Sequence, residues 1–125
     1  MGTVLIVEDS AMERKLLSGY LQTSGLEVVM ATSGEEALQQ IERSQPDAIV
    51  LDIVLPGLSG FEICRQLKNN ETTQQIPIIL CSTKDTAMDK FWGLKQGADA
   101  YITKPVDKVE FLRTLNQFFD SLVDV

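Results

Sequence analysis

Short apolar runs alternate with helical patterns along the whole of this 125-residue chain. The apolar runs predict strands at Thr3–Val7, Glu27–Met30, Ala48–Leu51, Ile76–Cys81 and Ala100–Thr103. Apolar residues at helical spacing predict helices at Ala11–Thr23, Gly34–Arg43, Gly60–Lys68, Thr86–Gln96 and Lys108–Leu122. Strands that alternate with helices are typical of βαβ units, so the pattern predicts an α/β protein with a parallel sheet.

The predicted helix starts carry a second local signal. A capping box pairs a serine or aspartate cap with a glutamate three residues later that reaches back to the cap. Four such boxes occur, at Ser10–Glu13, Ser33–Glu36, Ser59–Glu62 and Asp107–Glu110. The spacing of apolar residues in the first helix predicts one buried face, made of Met12, Leu16, Leu17, Tyr20 and Leu21.

Composition excludes several classes of function. The net charge of −7 and the absence of a basic stripe argue against a nucleic-acid partner, which needs clustered lysine and arginine. No apolar stretch approaches the roughly 20 residues of a membrane span, and no signal-peptide pattern opens the chain. We therefore expect a cytoplasmic protein without membrane insertion, in which Cys64 and Cys81 are buried free thiols.

The chain contains no histidine, which removes the usual zinc ligand and the usual general base near neutral pH. A phosphohistidine, if one takes part, must therefore come from another protein. The length fits one domain, and the last predicted helix runs nearly to Val125. We expect a single domain over residues 1–125 without an output domain.

Polar residues follow four of the predicted strands, at the point where each strand ends. They are Glu8-Asp9, Asp52, Ser82-Thr83 and Lys104-Pro105. A parallel α/β sheet gathers the carboxyl ends of its strands at one crevice, where ligands bind. Three carboxylates, two hydroxyls and one ammonium are therefore predicted to converge. Such a set fits a divalent cation together with a phosphoryl group.

Glu8-Asp9 alone has two interpretations, a solvated acidic turn that caps the first helix or a pair of ligands for a hard cation such as Mg²⁺. Asp52 favours the second interpretation, because its neighbours on both sides are almost wholly apolar. A carboxylate there can act as a nucleophile on phosphorus and form an aspartyl phosphate. Lys104 would supply a point charge for a phosphoryl oxygen, and the Ser82 hydroxyl and Thr83 N–H would bond the others.

Four longer motifs contain these residues: Ile6–Ser10, Asp52–Pro56 with Gly60, Pro77–Lys84 and Gly97–Pro105. Together they resemble bacterial response-regulator receiver domains of the CheY-like kind. The resemblance spans essentially the whole chain. It implies a flavodoxin-like five-stranded parallel sheet of order 2-1-3-4-5 with five helices, an order for which receiver domains are themselves a standard example.

The resemblance also implies residue roles. Asp52 would be the phosphoacceptor, while Asp9, Glu8 through water, Asp52 and the Val54 carbonyl would hold Mg²⁺. Ser82, with Thr83 and Lys104 beside it, would complete the phosphoryl site, and Ser82 and Tyr101 would form the switch. A cis Lys104–Pro105 bond is implied as well. The protein would accept a phosphoryl group from a histidine kinase, CheA-like, and signal to a downstream protein through the fourth helix, fifth strand and fifth helix.

A narrower resemblance links Asp52–Phe61 and Thr83–Ala98 to lone receivers of type IV pilus (twitching) motility systems. Within the family, Thr83 stands where a small residue is usual, and Val54 and Lys84 lie at positions that influence hydrolysis of the acyl phosphate. We therefore expect a phosphoryl lifetime longer than in fast chemotaxis switches. The resemblance implies no enzyme beyond self-catalysed phosphotransfer and slow autodephosphorylation, in a monomer or a weak phosphorylation-dependent dimer.

Other functions remain open from the sequence. The chain could act as a phosphate sink for a shared kinase, as an aspartyl-phosphate phosphohydrolase, as an FMN-binding redox module or as a scaffold that needs no phosphorylation. Val54 argues against the hydrolase, which would need an acid two residues after the nucleophile. The acidic Glu8-Asp9 turn argues against FMN, because it repels phosphate when no metal is bound. In the fourth helix, one of Phe91 and Trp92 must point away from the core, either as a partner anchor or packed against the fifth helix.

Overall fold

The computed structural model describes residues 2–119 of the chain. Its strands are β1 (Thr3–Val7), β2 (Glu27–Ala31), β3 (Ala48–Asp52), β4 (Ile78–Ser82) and β5 (Ala100–Thr103). Its helices are α1 (Ala11–Tyr20), α2 (Gly34–Arg43), α3 (Gly60–Lys68), α4 (Ala87–Lys95) and α5 (Lys108–Asn116). Neighbouring strands pair in parallel in the order β2-β1-β3-β4-β5, so the predicted flavodoxin-like order is confirmed.

Element boundaries differ from the prediction mainly at the ends. Strand β4 begins after Pro77, which has no N–H to give to the ladder, and it extends to Ser82. Helix α1 ends at Tyr20, because Leu21 to Ser24 form a turn in which the Ser24 N–H and hydroxyl both donate to the Leu21 carbonyl. Helix α5 ends at Asn116, and the predicted end at Leu122 lies outside the described residues.

The predicted helix caps are half confirmed. Each predicted cap side chain accepts the N–H of the residue three positions later, but none of the four glutamates completes the box. The Ser10 N–H donates instead to Glu8 Oε2 at 3.0 Å, and Glu36 Oε1 accepts from the Thr32 N–H. Within residues 2–119, the complete box is at α4, where Thr86 and Asp89 bond each other reciprocally. The sequence did not predict this box, because the usual capping box has glutamate or glutamine three residues after the cap and α4 has Asp89 there.

The central strands β1, β3 and β4 are buried on both faces, as expected for parallel strands covered by helices, whereas the edge strand β2 is largely exposed. Alternate residues of the central strands point to two separate apolar clusters. One lies under α2 and α3 and includes Leu5, Ile49, Leu51, Ile63 and Leu80. The other lies under α1 and α5 and includes Ile6, Val50, Leu17, Ile102 and Phe111.

The predicted buried face of α1 is wrong at two positions. Leu17 and Leu21 are buried and Tyr20 is half-buried, but Met12 is 79% exposed and Leu16 is 39% exposed. These two residues lie on the side of α1 that turns away from the sheet, so helical spacing alone predicted too wide a buried face.

Among residues 2–119, no helix is long and apolar enough to cross a membrane.

Candidate phosphoryl-transfer site

The strand registers bring the predicted polar residues to one edge of the sheet. Val7 pairs with Leu51, Asp52 with Cys81, and Ser82 with Thr103. Glu8 and Lys104 come directly after β1 and β5, while Asp52 and Ser82 are the last residues of β3 and β4. The convergence predicted from the sequence therefore follows from four adjacent strands.

Three carboxylates form the centre of this edge. Glu8 is 2% exposed and Asp52 is 7% exposed, whereas Asp9 is open to solvent. One oxygen from each of the three lies within 4.8 Å of the others. Buried like charges at this spacing are unfavourable unless a cation compensates them. A set made wholly of carboxylate oxygens, with one of them reachable from solvent, fits a hard ion such as Mg²⁺.

Lys104 supplies positive charge to the two buried acids. Its Nζ lies 2.5 Å from Glu8 Oε1 and 3.1 Å from Asp52 Oδ2. Burial lowers the pKa of the Lys104 ammonium, but the hydrogen bonds and charges of Glu8 and Asp52 outweigh it, so that the net pKa is raised. The ammonium is therefore charged at neutral pH. The implied cis Lys104–Pro105 bond is present.

Glu8 is held from both of its ends. Its Oε2 accepts the Ser10 N–H, and its backbone carbonyl accepts Arg14 Nη1 at 2.8 Å. The sequence does not predict the Arg14 contact, because a basic residue in the first helix is usually a solvent-exposed charge. Its effect is to fix the turn that presents both acids of the Glu8-Asp9 pair.

Asp52 is held by the loop that follows it. Its Oδ1 accepts the Val54 N–H at 3.2 Å, which leaves Oδ2 facing Lys104. The Gly60 N–H donates to the Ile53 carbonyl at 2.9 Å, so α3 begins directly against the end of β3. A Cβ added at Gly60 would collide with the Asp52 carbonyl oxygen and lie 2.7 Å from Ile53 Cα. Glycine is thus required where the helix approaches the strand.

Ser82 is fully buried, and its hydroxyl accepts the Lys84 N–H at 3.2 Å. The Lys84 carbonyl in turn accepts the hydroxyl of Tyr101 at 2.5 Å. Burial, followed by the charges of Asp89 and Asp85, raises the pKa of Tyr101 to about 12, so the phenol is a donor at neutral pH. Ser82 and Tyr101 are therefore joined through the backbone of Lys84, a link that the sequence did not reveal. Thr83 is exposed beside them.

Helix α4, which follows this loop, presents an unusual amount of apolar surface. Met88 is 71%, Phe91 59%, Trp92 48% and Leu94 54% exposed, and Gly93 is the one buried residue of the helix. The prediction expects one of Phe91 and Trp92 to point away from the core and leaves open whether it packs against the fifth helix, whereas both side chains are exposed. A Cβ at Gly93 would lie 3.0 Å from the Tyr101 ring, so the ring packs directly under the helix.

Comparison with known proteins gives a consistent result. The family model described as the response regulator receiver domain matches residues 4–116. Protein PilH of Pseudomonas aeruginosa is 42% identical over 116 residues, which are 93% of this chain and 96% of PilH. The alkaline phosphatase synthesis transcriptional regulatory protein PhoP of Bacillus subtilis is 44% identical over 102 residues, but the match spans 42% of its length. The structure of chemotaxis response regulator CheY4 of Vibrio cholerae superposes with a TM-score of 0.88 at 31% identity, over 95% of this chain and 99% of that one.

Proposed function

We propose that this chain, which belongs to the response regulator receiver domain family, accepts a phosphoryl group on Asp52 and thereby acts as a switch of a two-component system. The observation that carries the proposal is the surroundings of the Asp52 carboxylate. It is nearly buried, lies beside the carboxylates of Glu8 and Asp9, and has a charged ammonium 3.1 Å away. This arrangement provides a nucleophile and a cation for the charge of the incoming group.

In the proposed transfer, an Asp52 carboxylate oxygen attacks the phosphorus of a phosphohistidine. The P–O bond forms as the P–N bond breaks, and the released imidazole takes up a proton from solvent. This chain has no histidine, so the donor residue belongs to another protein, which we propose is a CheA-like histidine kinase. In this proposal the Lys104 ammonium stays beside the phosphoryl oxygens, because the negative charge of the Asp52 carboxylate is replaced by that of the aspartyl phosphate.

Glu8, Asp9, Asp52 and the backbone carbonyl of Val54 are the groups that we propose hold Mg²⁺, which would supply further positive charge at the phosphoryl oxygens. We propose that Ser82 and Thr83, at the end of the neighbouring strand, contact the remaining phosphoryl oxygens. The Val54 side chain is apolar and 56% exposed, so it cannot orient a water for hydrolysis. We therefore propose slow autodephosphorylation and no turnover of free phosphate esters.

We propose that the surface formed by α4, β5 and α5 binds the downstream protein and so transmits the signal. When the Ser82 hydroxyl moves to a phosphoryl oxygen, it gives up the Lys84 N–H, and the Lys84 carbonyl carries that change to Tyr101. Tyr101 packs under Gly93, so α4 and its exposed Phe91 and Trp92 are the next to respond. Exposed apolar side chains of this kind suit a downstream protein. Likeness to PilH and CheY4 supports a motility pathway of the pilus or chemotaxis type.

Trp92 is the single tryptophan of the chain, so its fluorescence tests the proposal without a label. We expect acetyl phosphate with Mg²⁺ to change the emission of Trp92 in the wild-type protein and to leave Asp52→Asn unchanged. A phosphodonor that alters both proteins equally would contradict the proposal. So would phosphorylation of the wild-type protein with no change in Trp92, because the signal would then not reach α4.

A further inference from the structure

The loop between β3 and α3 carries the Val54 carbonyl, and a residue from outside the loop holds its tip. At the start of the loop, the Val54 N–H donates to Asp52 Oδ1 at 3.2 Å. At the tip, the Leu58 N–H donates to Oε2 of Glu35, which lies 23 positions earlier in the first turn of α2. This second bond is 3.4 Å long and exposed, so its contribution is modest but specific to the loop.

Gly57 gives independent evidence that the Glu35 carboxylate is seated on the loop. Its φ of +74° is a conformation that L side chains rarely adopt. A Cβ added at Gly57 would lie 2.5 Å from Oε2 and 3.0 Å from Oε1 of Glu35. Both carboxylate oxygens of Glu35 therefore lie where a side chain at position 57 would be. Glu35 thus contacts two consecutive residues of the loop, Gly57 and Leu58.

The neighbouring Glu36 shows that this contact is particular to Glu35. Both are acids in the first turn of α2, and both accept a backbone N–H. Glu36 bonds the Thr32 N–H, just before its own helix, at 2.5 Å. Glu35 instead reaches across to a different segment. Two adjacent glutamates of equal charge thus differ in the element that they hold.

We propose that Glu35 is a positioning residue for the phosphorylation site, which it serves by restraining the β3–α3 loop. The inference rests on the proposed function, in which the Val54 carbonyl and Asp52 belong to the metal and phosphoryl site. Val54 lies three residues before Gly57, so restraint of the loop tip limits the motion of the short segment that carries the Val54 carbonyl. If the loop tip is already restrained in the free protein, less conformational entropy is lost when Mg²⁺ binds, and the affinity for Mg²⁺ is higher.

The test compares Glu35→Ala with Glu35→Gln and with the matched control Glu36→Ala. In metal-free protein, we expect Glu35→Ala to raise hydrogen exchange of the Leu58 amide several-fold, and Glu36→Ala to leave it unchanged. Calorimetric titration with MgCl₂ should show Kd weakened about threefold to tenfold in Glu35→Ala, the range expected for loss of one hydrogen bond. Glu35→Gln should stay near the wild type, because its amide oxygen still accepts the Leu58 N–H.

Two results would overturn the inference. The first is equal exchange and equal Mg²⁺ affinity in Glu35→Ala and Glu36→Ala, which would reduce the contact to a surface feature. The second is a Glu35→Gln variant as weak as Glu35→Ala, which would assign the effect to charge and not to the hydrogen bond. Failure of the proposed function is separate: the wild-type protein would then not be phosphorylated at Asp52, while exchange at Leu58 would still report the restraint.

Discussion

Lys104 determines the electrostatic state of the site, because two buried carboxylates share its ammonium. The ammonium and both carboxylates have side chains that are 10% exposed or less. At such burial, removal of one partner leaves charge without compensation, which costs more than the pair itself contributes. The residue is thus as important for the unphosphorylated protein as for the phosphoryl group that it is proposed to contact.

The first prediction concerns Lys104→Met in Mg²⁺-free buffer. We expect the free energy of unfolding to fall by about 3 kcal/mol near pH 8, because Glu8 and Asp52 then face each other as like charges. In the wild type the raised pKa of Lys104 keeps its contribution through neutral pH, and it is lost only as the pH rises above the ordinary lysine value of 10.5. Urea unfolding near pH 8 measures this, and an unchanged free energy of unfolding in Lys104→Met would contradict it.

The second prediction concerns the thiols. Cys64 and Cys81 are free and buried, as expected from the sequence. Burial raises the pKa of Cys64 to about 11 and that of Cys81 to about 12, so neither thiol is ionised at neutral pH. We expect no reaction with a disulfide reagent in the native protein at pH 8 and two reactive thiols in denaturant. Rapid modification of the native protein would show that one of these positions is open.

At the scale of elements, the helix starts decide the geometry of the site. Helices α2 and α3 both begin with a glycine at close quarters, Gly34 against Ile63 and Gly60 against the backbone of Asp52. The loop between β3 and α3 is thereby enclosed by two helix starts. At Gly60, the absence of a side chain lets α3 approach β3 beside the proposed phosphoryl site.

The third prediction compares two glycine-to-alanine changes. A Cβ at Gly60 meets the Asp52 and Ile53 backbone, so Gly60→Ala should destabilise the protein by about 2 kcal/mol and slow phosphorylation. Gly19 lies inside α1 with nothing within 4 Å of an added Cβ, so Gly19→Ala should stabilise it by about 0.5–1 kcal/mol. Thermal or urea unfolding gives both values. Equal effects of the two changes would contradict the close approach at Gly60.

The fourth prediction tests the link from Ser82 to α4. Tyr101→Phe removes the hydroxyl that bonds the Lys84 carbonyl, and Tyr20→Phe removes a similar bond to the Val106 carbonyl, at 2.9 Å. Each should lower the free energy of unfolding by about 1 kcal/mol. We expect Tyr101→Phe alone to weaken the response of Trp92 to phosphorylation, with the rate of phosphorylation unchanged in both. A full Trp92 response in Tyr101→Phe would show that the signal takes another route.

Local chemistry accounts for how much of the fold the sequence predicts. Strand runs and cap side chains depend on neighbouring residues, so β1, β5, α2 and α3 were predicted to the residue. The return bonds of the capping boxes were wrong because they compete with partners that only the folded chain supplies, such as Glu8 for the Ser10 N–H. The exposure of Met12 was missed for the same reason, since helical spacing does not say how much of a face the sheet covers.

The site shows the same division at the scale of the whole molecule. Four strand ends could be predicted to meet, because strand order brings them to one edge. The contacts that join them could not be predicted, since the Lys84 backbone and the Glu35 and Arg14 side chains are recognised only from the three-dimensional packing.

The identity of the phosphorylated residue tests the central claim most directly. After incubation with acetyl phosphate and Mg²⁺, borohydride reduction converts an acyl phosphate on aspartate to a stable product that peptide mass spectrometry can locate. We predict a single modified residue, Asp52, in the wild-type protein and none in Asp52→Asn. Modification at Glu8 or Asp9, or an undiminished signal in Asp52→Asn, would contradict the account.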